Sequence, residues 1–166
     1  MLGPVELIVA AFKGEDKAAA VLKDLKQSDR EDVLQVLNAA VLVKKGNGKV
    51  SVRETQDVGA GRGAIFGAIA GGLVGLLGGP AGVIVGAAAG AATGGVAASQ
   101  IDMGFSDEML QDLQKGLQPG SSAIVALVQH EWVDRVVAAL EELDAKLFRQ
   151  ALADELAAQL EEADEE

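Results

Sequence analysis

The chain has 166 residues, enough for one domain or one domain with an insertion, and enough to bury a core without disulfides or metals. It has no cysteine, one histidine and no tyrosine, which excludes disulfide frameworks and thiolate metal sites and leaves little for imidazole or phenol catalysis. A net charge of −11 argues against nucleic-acid binding, which draws on clustered Lys and Arg.

In chain order, the apolar run from Val5 to Phe12 predicts a buried strand, broken by Lys13-Gly14. Glu15-Asp16 opens a helix with Ala18, Val21, Leu22 and Leu25 on one face, followed by a polar stretch from Gln27 to Asp32. Ala39 to Val43 reads as a second strand. Lys45-Gly46-Asn47-Gly48-Lys49 predicts a hairpin turn, because Asn and Gly tolerate positive φ, and Val50 to Glu54 alternates as a third strand. Ser106-Asp107-Glu108 caps a helix running to Leu117, with Met109, Leu110 and Leu113 as its buried stripe. Pro119-Gly120 turns the chain into a fourth strand, Ser122 to Val128. Glu131 to Leu143 is an amphipathic helix, Lys146 to Gln150 a short edge strand, and 151–163 a terminal helix. With the middle of the chain set aside, the first elements run β-α-β-β-α-β, the split-βαβ order of ferredoxin-like domains.

The middle is physically different. Through Arg62 there are 9 acids and 10 bases; the 39 residues from Gly63 to Ile101 carry no charge; from Asp102 onward 16 acids face 4 bases. Glycines recur every fourth residue at Gly59, Gly63, Gly67, Gly71, Gly75 and Gly79, and again at Gly82, Gly86, Gly90 and Gly94 beyond the Gly79-Pro80 break. Ile65, Ile69, Leu73 and Leu77 form a parallel row. A flexible linker would carry Ser, Thr and charge, and would not align Ile and Leu. An interior helical Gly costs roughly 0.8–1 kcal/mol against Ala. Close backbone approach between helices is the usual compensation, so the two arms predict a glycine-zippered helical hairpin. Each arm is at the short limit for crossing a bilayer, and the second is mostly Ala and Gly.

The stretches ELIVAAFKGEDKAAAVLKDLK, AAVLVKKGNGKVSVRETQDVGAGRGAIFGAIAGGLVGLLGGPAGVIVGAAAG and LQPGSSAIVALV resemble the DUF1269 family over about the first 150 residues. The resemblance implies a predicted membrane protein of unknown function, with a ferredoxin-like core carrying this glycine hairpin. It supplies no catalytic residues. The departure is the Ala-rich acidic C-terminus, ALADELAAQLEEADEE.

Other chemistry reads poorly. Gly59-Ala60-Gly61-Arg62-Gly63-Ala64 nearly fits a dinucleotide fingerprint, but no acid follows before Asp102 and no Gly-Lys-Ser/Thr is present. His130-Glu131 beside Trp132 lacks the partners of a triad or metal site. Glu141, Glu142 and Asp144 read as a solvated face. Lys44, Lys45, Lys49, Arg53 and Arg62 gather on the hairpin and zipper entrance, where they offer electrostatic contact to anionic lipid or to an acidic neighbour.

The sequence therefore predicts an α+β fold. A ferredoxin-like split-βαβ core occupies 1–57 and 102–150, an inserted glycine-zipper helical hairpin 58–101, and an acidic C-terminal helix and tail 151–166. The core is expected to fold without the hairpin. The expected function is non-enzymatic self-association, without cofactor, metal or nucleic acid. The hairpin would lie in the lipid bilayer with the soluble domain on the cytoplasmic side. The alternative is a soluble cytoplasmic homo-oligomer (ring, shell or filament) joined through the same ten glycines. The N-terminus, with no basic start and with Glu6 interrupting the apolar run, reads as that of an intracellular protein.

Overall fold

The computed structural model describes residues 4–30, 36–56, 66, 67, 69–74, 77, 107–152 and 154–165. Five strands form one antiparallel sheet: β1 (Val5–Lys13), β2 (Asn38–Lys44), β3 (Val50–Gln56), β4 (Ser121–Gln129) and β5 (Lys146–Ala151), in the order β3-β2-β4-β1-β5. Helices α1 (Lys17–Arg30), α2 (Asp107–Gly116), α3 (His130–Glu141) and α4 (Asp154–Glu165) accompany it. The fold is thus mixed α+β. α1 continues to Arg30 through part of the stretch that reads as polar, because its apolar face has already been set by Ala18, Val21, Leu22 and Leu25.

Strands β1 and β4 are apolar at nearly every position because both of their faces are covered. Ile8, Ala10 and Phe12 point to one layer, where Val21 and Leu22 of α1 meet Val133, Val136 and Leu140 of α3. Leu7, Val9 and Ala11 point to the other. There Leu113 and Leu117, in and just after α2, and Leu160 of α4 join one buried cluster with Phe66, Ile69, Leu73, Val74 and Leu77. The described residues between 66 and 77 are helical. Each large side chain so covered contributes about 1.5–3 kcal/mol relative to leaving it in water.

Strand pairing differs from the simplest reading of the first six elements, in which α2 would be the second crossover and β3 would lie inside the sheet. β4 lies between β1 and β2, joined to them in the registers Val9↔Val125 and Ala40↔Val125. β1 in turn lies between β4 and β5, so the crossover from β4 to β5 is α3. Among the described strands β3 is an edge, attached to β2 alone and bulged where Val41 faces Glu54 but Leu42 faces Val52, leaving Arg53 as the extra residue. The β2–β3 turn forms as its sequence predicts. The N–H of Lys45 donates to the Lys49 carbonyl at 2.9 Å, and Gly48 sits at φ 87.

Asn38 is a polar residue within the core. It is fully buried at the start of β2, and among the described residues neither carboxamide atom has a hydrogen-bond partner. An unpaired buried amide costs about 1–3 kcal/mol. Asn38→Leu, nearly isosteric, should therefore raise the melting temperature by roughly 2–4 °C per kcal/mol recovered. Scanning calorimetry checks this; a lower melting temperature would mean that the amide is satisfied.

Candidate functional site

Two places are candidates: the glycine-bearing helical residues and the lysine-rich end of the sheet. Of the ten glycines expected to form a packing stripe, Gly67 and Gly71 are described; Gly59, Gly63, Gly75, Gly79, Gly82, Gly86, Gly90 and Gly94 lie outside the described residues. So does the second arm of the expected hairpin. Among the described residues, no helix is long and apolar enough to cross a membrane.

Helical spacing of 3.6 residues per turn puts Phe66, Ile69, Ala70, Leu73, Val74 and Leu77 on one continuous face, and all six are buried. Gly67, Gly71 and Gly72 fall outside that face and are partly exposed. Among the described residues, a Cβ built on Gly67 meets nothing within 4 Å. The packing described around this position therefore does not require glycine there.

At the other candidate site, strand register gathers cations from distant parts of the chain. Lys13 and Lys44, the last residues of β1 and β2, both lie opposite Ser121, and Lys146 opens β5 opposite Ala11. Lys17 opens α1, Lys115 is in the last turn of α2, and Lys45 and Lys49 flank the β2–β3 turn. Seven of the chain's nine lysines thus share one end of the sheet. Lys44, Lys45 and Lys49 belong to the basic group expected from sequence. Arg53 is an ion-pair partner of Asp16, and Arg62 lies outside the described residues. Lys13, Lys17, Lys115 and Lys146 are additions that no local motif could reveal, because only long-range strand pairing brings them together.

The remaining sequence candidates are dispersed. His130 is exposed at the start of α3, where its backbone N–H donates to the Pro4 carbonyl at 2.8 Å. Glu141, Glu142 and Asp144 are exposed. The glycine-rich stretch 59–64 lies outside the described residues, and among those described no three His, Asp or Glu side chains cluster as metal ligands.

A family model described as a protein of unknown function, DUF1269, matches residues 58–164, well over half of the chain. The chain belongs to the DUF1269 family. No curated protein and no solved structure matches it. The DUF1269 match begins later than the resemblance read from Glu6, and it runs on through most of α4. It contains the helical residues Leu73, Leu113 and Leu160 of the layer opposite α1 and α3, whereas β1, α1, β2 and β3 precede it.

Proposed function

We propose that this DUF1269 protein is a non-enzymatic, self-associating protein whose glycine-bearing helical segment is the contact between copies. The observation that supports this reading is the division of labour among the helical residues described between 66 and 77. The large side chains there are buried in the domain's own core, while among the described residues nothing lies within 4 Å of where a Cβ on Gly67 would stand. A helical Gly costs roughly 0.8–1 kcal/mol relative to Ala. Close approach of a second helix would offset that cost. Ile69, Leu73 and Leu77, being turned into the core, are not free to face lipid, which favours a protein partner for this arm.

A membrane-inserted hairpin over 58–101, with the sheet domain on the cytoplasmic side, is the second reading, favoured by the 39 uncharged residues from Gly63 to Ile101. One pair of variants tests the first reading. Gly67→Ala should stabilise the separated chain by up to about 1 kcal/mol while weakening association. Gly67→Leu should abolish association with the circular dichroism spectrum retained. Sedimentation velocity of the wild type and both variants without detergent gives the answer. Size distributions that do not change among the three would defeat the reading, and a protein that disperses only in detergent would favour the membrane hairpin instead.

A further inference from the structure

We propose that a cavity at the lysine-rich end of the sheet binds a small phosphate-bearing organic anion. The cavity measures about 570 Å³ and lies where the end of β1, the start of α1, the segment after α2 and the α3–β5 turn converge. That volume falls within the range of roughly 300–1,000 Å³ typical of small-molecule sites. Phe12 and Leu143 supply an apolar wall, and the residues Lys13, Lys17 and Lys146 bring three ammonium groups to the lining against the single carboxylate of Asp144. The surplus of positive charge runs against the chain as a whole, whose net charge is −11.

The cations are available to a ligand. Among the described residues, none of the three lysines forms an ion pair. Asp16, which immediately precedes α1, is turned to Arg53 instead. α1 carries no acid in its first turn, so the positive end of its dipole adds to the field at Lys17.

The site is also partly organised in advance. Lys146 lies with its Nζ 5.8 Å from the centre of the Phe148 ring, and its Cδ is 3.5 Å from where a Cβ of residue 116 would be. Gly116 makes room there: a Cβ would stand 2.6 Å from Cζ of Phe148, so that buried ring would have to shift. The glycine lets β5 approach the end of α2 and sets the stem of Lys146 beside the cavity. Three compact ammonium groups match a multiply charged phosphate, and the aromatic and aliphatic wall matches an organic remainder.

The test is titration of the full-length protein at low salt with pyrophosphate and glycerol phosphate, alongside vesicles of phosphatidylglycerol or phosphatidylcholine. These arms separate a free phosphate from a lipid headgroup as the source of the anion. The proposal expects saturable binding of a phosphate probe, or selective binding to phosphatidylglycerol. Lys13→Gln with Lys146→Gln should weaken it by about tenfold or more, while Lys23→Gln with Lys26→Gln on α1 should change it less than about twofold. Equal weakening by both pairs would reduce the effect to net charge and overturn the site, as would the absence of binding in every arm. Thermal unfolding of each variant verifies that the substitutions leave the fold intact. Because association through Gly67 is read separately by sedimentation, failure here leaves that reading standing.

Discussion

Replacing Leu73 by Asp will abolish the cooperative unfolding transition of this protein. Leu73 is fully buried within the cluster that contains Leu7, Leu42 and Leu127 of the sheet. Truncating such a leucine to Ala costs about 2–5 kcal/mol. A carboxylate there would be buried without a partner, adding several kcal/mol more before the group protonates or the helix detaches. A domain of this size holds roughly 5–15 kcal/mol in all. The expected result is a molten chain with helical far-ultraviolet signal, no near-ultraviolet structure and strong dye binding, whereas Gly67→Ala melts normally. A Leu73→Asp protein that unfolds sharply near the wild-type temperature would show that the helix is dispensable. The same packing bears on the expectation that the sheet domain folds once Asp57 is joined directly to Asp102. Removing the intervening residues removes Phe66, Ile69, Leu73, Val74 and Leu77 from the core, so the joined chain should share the molten behaviour.

Ser122→Ala should be the next most damaging change. The Ser122 hydroxyl is fully buried and serves two backbone groups at once, accepting from the Ala18 N–H at 3.0 Å and donating to the Gly14 carbonyl at 2.7 Å. It thereby ties the start of β4 to the β1–α1 turn, where Gly14 takes φ 98. Alanine leaves a donor and an acceptor without this partner, at a cost of about 2–4 kcal/mol. The melting temperature should fall by on the order of 10 °C. Its neighbour provides the contrast: among the described residues the Ser121 hydroxyl bonds the Gln118 carbonyl alone, within the turn, so Ser121→Ala should cost about 1 kcal/mol or less. Equal losses at the two serines would remove the argument for the long-range tie.

Much of this architecture is legible in the sequence, for identifiable reasons. Val5 to Phe12 and Ser122 to Val128 announce buried strands by unbroken apolar content, and Asn47-Gly48 announces its turn by the backbone it permits. Strand neighbours are less legible. That β4 inserts between β1 and β2 depends on residues more than a hundred positions apart, such as Val9 and Val125. The period of Ile69, Leu73 and Leu77 reveals a helix face but not what covers it. Sheet, lipid and a partner helix all ask for the same side chains. The cavity at the residues Lys13, Lys17 and Lys146 left no motif at all, because each lysine alone looks like an ordinary solubilising residue.

The two outer strands of the sheet limit how copies of this chain can meet. β3 is distorted by its extra residue at Arg53, and β5 places exposed Lys146 and Arg149 along the opposite margin. A strand from another molecule seeking to extend the sheet would meet an interrupted hydrogen-bond ladder on one side and cationic side chains on the other. A protein rich in Val, Ile and Ala strands is thereby guarded against annealing into cross-β fibrils.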